Sequence, residues 1–179
     1  DLLLIETCQD TRNIKAALLG IRDAGREAGV KIPVIVSGTI EPMGAMLAGQ
    51  ATDALWVSVA HGDLLAIGLN CATGPEFMTD HLRTLSDVAT CFVSVYPNAG
   101  LPDEHGHYEE TAESLAHKMR RFVDEGWVNV VGGCCGTTPD HIRALARLVA
   151  GRPPRVPAAD RPAAVSGIES VYPSEDLRP

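Results

Sequence analysis

Basic residues are scarce: 15 Lys and Arg stand against 23 Asp and Glu in 179 residues, a formal net charge of −8 at pH 7. The cations are scattered rather than gathered into a stripe, which excludes nucleic acid as the expected ligand. Any apolar run near the roughly 20 residues that span a bilayer is also missing. The opening DLLLIETCQD lacks the basic segment that begins a secretory signal. No membrane partner is expected, and the chain reads as a soluble, cytoplasmic protein. No G-x-G-x-x-G follows the first predicted strand, which counts against a dinucleotide-binding fold. The five cysteines include an adjacent pair, Cys134 and Cys135. That is not the even framework of a small disulfide-stapled domain, and in a reducing compartment such cysteines serve as ligands or nucleophiles.

Apolar residues make up 45% of the chain, enough for one substantial core. Short runs rich in Val, Ile and Leu alternate with segments of helical period, the pattern of βα units around a parallel sheet. The predicted strands are Leu2 to Ile5, Pro33 to Val36, Ala66 to Leu69, Cys91 to Val95 and Val128 to Val131. Helices are predicted near 11–28, 43–62, 76–88, 110–125 and 139–150, with Thr111, Pro139 and Asp140 as start signals and Gly29, Gly126 and Gly151 as stops. The fold class is therefore α/β. Five βα units are too few to close an eight-stranded barrel, so residues 1–151 are expected to form the C-terminal part of a (β/α)₈ TIM barrel. Residues 152–179, rich in Pro and Ala and without apolar period, read as an extended linker toward a further, downstream domain.

The unusual residues fall at the carboxyl ends of these strands: Glu6 and Thr7, Ser37 and Thr39, Asn70 and Cys71, Asn98, then Cys134 and Cys135. That edge is where βα folds build their sites. In GGCCGT the flanking glycines free the backbone to aim both sulfurs at one point, and Cys71 in GLNC supplies a third from a strand expected to face the last one across part of the barrel mouth. Three thiolates with no obvious fourth protein ligand describe a zinc site with an open position, the arrangement of a catalytic centre. Such a centre keeps an incoming thiol as a reactive thiolate, which suits alkyl transfer to sulfur. Cys8 and Cys91, with no matching partners, read as small buried hydrophobes. His105 and His107 lie in DEHGHYEE, read as a solvated loop.

Other readings stand beside this one. The glycine-rich loop running into a helix near Pro139 suits a phosphate. A closed structural zinc site needs a fourth ligand, for which His81 or His141 would serve, and the paired cysteines suit a redox role.

IETCQD, GLNCATGP, YPNAGLP and GGCCGTTPDHI together resemble the homocysteine S-methyltransferase family, from Asp1 to about Gly151. The later VSGIESVYP resembles the joint to the folate-binding barrel in the cobalamin-dependent methionine synthase branch, favouring it over the betaine and S-methylmethionine branches. The resemblance implies that Cys71, Cys134 and Cys135 are zinc ligands and that Glu6 receives the ammonium of homocysteine. It further implies that Asn98 touches substrate and that Asn70 lies near the metal. Cobalamin would be bound by another domain, and the partners would be homocysteine and the methylcobalamin-carrying and folate-binding domains of the same protein. The family's early strands carry an Asp-Gly motif that grips the substrate carboxylate. No such segment occurs here, so the chain alone is expected to hold zinc less securely and to be inactive.

Overall fold

The computed structural model of the protein describes residues 1–160 and 163–173. Residues 161, 162 and 174–179 of the expected linker lie outside the described residues. Five strands, β1 (Leu3–Cys8), β2 (Val34–Gly38), β3 (Ala66–Asn70), β4 (Phe92–Tyr96) and β5 (Val130–Val131), form one sheet in the order β1-β2-β3-β4-β5. Every pairing is parallel. A doubly wound sheet would reverse its strand order at a switch point. Strictly sequential order is that of a barrel segment.

The helices are α1 (Thr11–Ala28), α2 (Thr52–Val59), α3 (Pro75–Val88), α4 (Ala112–Asp124) and α5 (Pro139–Val149). Local chemistry sets their ends. Asp10 accepts from Arg12 N–H ahead of α1 and Thr111 from Ser114 N–H ahead of α4, while Pro75 and Pro139 open α3 and α5. Val36, Ile67, Leu69, Val93 and Val95 pack with Ile14, Leu55, Leu82, Leu85, Met119, Phe122 and Leu145 of the helices in one buried core. On the alternate strand positions Ser37, Gly68 and Ser94 align in register and are buried. A Cβ at Gly68 would overlap Ser94, so only glycine allows the two strands this approach.

Three expectations need correction. The helix predicted over 43–62 is instead α2 and a 3-10 turn at Ala60–Gly62, preceded by turns. Gly44 and Gly49, at φ of 90° and 91°, take the left-handed backbone that a helix cannot use. Cys71 and the Cys134–Cys135 pair do not meet across an open mouth, because β4 lies between β3 and β5 and the two arms converge over its end. The described part of 152–173 is not a free extended segment. Arg155 is buried, donating its guanidinium to the carbonyl of Ser86 in the last turn of α3 and to those of Ala89 and Cys91 just after it, where the helix dipole favours a cation. Further on, β6 (Val165–Ser166) and β7 (Ser170–Val171) form a hairpin whose Ile168 carbonyl accepts from Ala51 N–H at 2.8 Å, against the start of α2. Among the described residues no helix is long and apolar enough to cross a membrane.

Candidate metal centre

Chain reversal after β3 begins at Cys71 itself. Cys71 and Ala72 sit at φ of 59° and 56°, left-handed geometry that is uncommon away from glycine. Strain of this kind persists only where surrounding contacts hold it. Here Cys71 N–H donates to Tyr96 O at 3.2 Å and Thr73 N–H to Cys71 O at 2.7 Å.

The second arm follows β5. Cys134 N–H donates to Pro97 O and Ala99 N–H to Cys135 O, both at 2.9 Å, so the loop lies along residues 97–99 at the end of β4. Asn98, 4% exposed, accepts from Cys135 N–H through Oδ1 at 3.2 Å. Its carbonyl oxygen is thus committed to holding the cysteine loop. Thr137 closes the turn by donating to Cys134 O at 2.7 Å.

These two arms bring three sulfurs together. Cys71 Sγ is 3.7 Å from Cys135 Sγ, Cys134 Sγ is 3.9 Å from Cys135 Sγ, and all three lie within 4.8 Å of one another. Zinc with Zn–S bonds of about 2.3 Å in tetrahedral geometry places its sulfurs about 3.8 Å apart. Spacing and donor softness therefore both fit zinc. Among the described residues no His, Asp, Glu or further Cys joins the group. Neither proposed fourth ligand does: His141 spends Nδ1 on Thr138 and Nε2 on Glu110 O, and His81 Nδ1 lies against Thr52 Oγ1 at 3.3 Å. Cys8 and Cys91 also stand apart, and burial pushes both thiols up to about 11, keeping them neutral as expected of packing residues.

Beneath the sulfurs lies Asn70, fully buried. Oδ1 accepts from Ser37 Oγ at 2.6 Å and Thr7 N–H at 3.1 Å, while Nδ2 donates to Thr7 Oγ1 at 2.9 Å and approaches Cys134 Sγ at 3.8 Å. All four hydrogen-bonding positions of the amide are used. One side chain thereby ties the ends of β1, β2 and β3 to the second cysteine arm. Burial pushes the Cys134 thiol up to about 11; the Asn70 contact opposes this, while Cys71 and Cys135 add to it.

Tyr108, in the stretch expected to be a solvated loop, packs instead against the cysteine loop. Its ring lies on Gly136, where φ is 78° and a Cβ would overlap the ring. Partial desolvation first, then the negative charge that Cys135, and after it Cys71 and Cys134, can carry, push the phenol above its ordinary range. The loop is anchored two residues on, where Glu110 pairs with Lys118, which also pairs with Glu76 of α3 at 2.9 Å. The signal was the tyrosine itself, the one large partly apolar side chain in an otherwise charged stretch. By contrast His105 and His107 are exposed, as expected. Glu6 is exposed at the end of β1, without a salt bridge among the described residues, next in the chain to the Thr7 that binds Asn70.

A model of the family described as homocysteine S-methyltransferase matches residues 1–149. The chain belongs to the homocysteine S-methyltransferase family. Two crystal structures of the homocysteine methyltransferase MmuM from Escherichia coli share the family's fold. The apo form matches with a TM-score of 0.61 at 22% identity, over 83% of this chain and 49% of that one. The metallated form matches with a TM-score of 0.62 at 24% identity, over 82% and 45%. This chain therefore spans about half the length of these solved homocysteine methyltransferases, and the sheet is that of a partial TIM barrel. Cys71, Cys134 and Cys135, the three cysteines expected as metal ligands, are the ones that the fold gathers.

Proposed function

We propose that this chain provides the zinc-holding part of an enzyme that transfers a methyl group to the thiol of homocysteine, giving methionine. The observation that carries the reading is the three-sulfur cluster, spaced for zinc and without a fourth protein ligand among the described residues. Zinc held by three thiolates would keep a fourth, substrate thiol deprotonated and nucleophilic at neutral pH. The protein's own part is placement. Asn70 and the 97–99 segment fix the cysteine arms, and Glu6, exposed and without a salt bridge among the described residues, would receive the substrate ammonium. Asn98, expected to touch substrate, acts in this reading through the position of Cys135.

The methyl donor is assigned to methylcobalamin on a separate domain, in the manner of cobalamin-dependent methionine synthase, on the VSGIESVYP segment alone. A betaine or S-methylmethionine donor is the competing assignment. The reaction belongs to a complete barrel: β1 is an edge strand with Leu2, Leu3 and Leu4 exposed, a surface that further strands would cover. On this reading residues 1–151 are the barrel portion, 152–179 lead toward a folate-binding domain, and the setting is cytoplasmic.

Replacing Cys71, Cys134 or Cys135 singly by Ser is expected to abolish stoichiometric zinc. In the unaltered protein, X-ray absorption at the zinc edge is expected to gain one sulfur neighbour on adding homocysteine. Zinc retained at one per chain in all three variants refutes the reading.

A further inference from the structure

Two neighbouring helices differ in length: α1 has 18 residues, about 27 Å, and α2 has 8, about 12 Å. After Val59 the chain turns through Ala60–Gly62 and returns to β3, so the second half of α1 lies beside this turn instead of beside a helix. Gly62 permits the close approach, since a Cβ there would lie 3.0 Å from Leu18 Cδ1. Between α1, the segment 30–34 and the turn a cavity of about 480 Å³ is left. Small-molecule sites span roughly 300 to 1,000 Å³.

The lining joins hydrocarbon to positive charge. Leu18 and Ile32 are half-buried and Val34 is buried, while Leu19 and Val30, 50% and 51% exposed, keep apolar surface in water at the cavity. Scattered exposed apolar side chains are ordinary, but these two share one concave surface. Lys15, Arg22 and Lys31 also line it, against a single carboxylate, Asp63. Lys31 pairs with Asp63 at 2.5 Å and Arg22 with Asp23 at 3.2 Å. Lys15, half-buried, has no salt bridge among the described residues. A chain of net charge −8 thus gathers an excess of cations around apolar walls, complementary to an anion with a hydrocarbon body. One uncommitted ammonium suits one negative charge.

We propose that this cavity is a second ligand site, which takes an aliphatic monocarboxylate of medium chain length, with the hydrocarbon against Leu18, Leu19 and Val30 and the carboxylate on Lys15. It lies at the amino edge of the sheet, where Val34 opens β2, whereas the cysteines follow the carboxyl ends of β3 and β5. The site is therefore separate from the metal centre and does not depend on the zinc reading.

The test titrates hexanoate, octanoate and decanoate, each below its micelle concentration, into the protein, with calorimetry for affinity and backbone amide NMR for location. Affinity is expected to rise by up to roughly fourfold per methylene, as hydrocarbon leaves water. The shifted resonances are expected in the second half of α1, in 30–34 and in 61–63. Decanamide, of the same length but neutral, is expected to bind roughly threefold to fivefold more weakly than decanoate. Lys15→Gln is expected to erase that difference, and Leu19→Asp to weaken both ligands. Affinity independent of chain length, equal binding of decanoate and decanamide by the unaltered protein, or shifts centred on residues 132–136 overturns the proposal. So does a cavity closed by a second copy of the chain, read in sedimentation as a dimer that Leu19→Asp breaks and decanoate leaves intact.

Discussion

Asn70 Nδ2 lies 3.8 Å from Cys134 Sγ, so the residue that ends β3 is in contact with a sulfur 64 positions further along the chain. The same amide is bonded to Thr7 and Ser37, making it the joint between three strand ends and the metal cradle. Asn70→Ala would leave buried partners unmatched and is expected to cost roughly 3 kcal/mol, a fall of roughly 10 °C in Tm. Asn70→Asp keeps the shape but sets a negative charge beside Cys134. It is expected to weaken zinc binding in chelator competition more than it lowers Tm, and an Asp variant that binds zinc as tightly as the unaltered protein would remove Asn70 from the centre.

Glu6 stands exposed beside this joint. Glu6→Gln is expected to leave zinc at one per chain and to weaken homocysteine roughly tenfold, the loss of one charge-assisted contact to the substrate ammonium. Calorimetric titration of homocysteine into complete, zinc-loaded barrel protein reads this. An unchanged affinity would take Glu6 out of the site.

Cys134 gives zinc binding a definite pH dependence. Its thiol is pushed up to about 11, so the metal-free site carries that proton at neutral pH and zinc must displace it. Affinity should therefore rise with pH, by about tenfold per unit for each proton released, and fall as the solution is acidified. Calorimetry in two buffers of different ionisation enthalpy counts the protons. Zinc affinity that is flat between pH 6 and 8 would contradict the assignment of Cys134 as a ligand.

Arg155 supplies a stability test remote from the chemistry. Its buried guanidinium donates to Ser86 O, Ala89 O and Cys91 O, binding the chain after α5 to the last turn of α3 and the turn that leads to β4. Arg155→Ala would strand those carbonyls at a cost of roughly 3 kcal/mol, with zinc stoichiometry unaltered. Arg155→Lys should recover only part of this, since one ammonium cannot reproduce a planar fork. Urea unfolding of the two variants gives the comparison, and an unchanged midpoint in Arg155→Ala would show that the strap adds nothing.

By itself the sequence determined the βα alternation, because apolar residues recur with the periods that strands and helices require, and it placed the unusual side chains at strand ends. It also carried the adjacent cysteine pair in GGCCGT and the single cysteine in GLNC. Other things lay beyond it, because they depend on backbone turns and on contacts between residues far apart in the chain. The left-handed turn at Cys71 and the path of the second arm over the end of β4 bring three sulfurs within reach of one ion. The same packing gave Asn98 a structural task, laid the ring of Tyr108 from a charged loop on Gly136, and buried Arg155 in a segment whose composition reads as linker. Local composition fixes which element a residue joins. Which way its side chain points, and what it meets there, is decided only when the strands and loops are packed together.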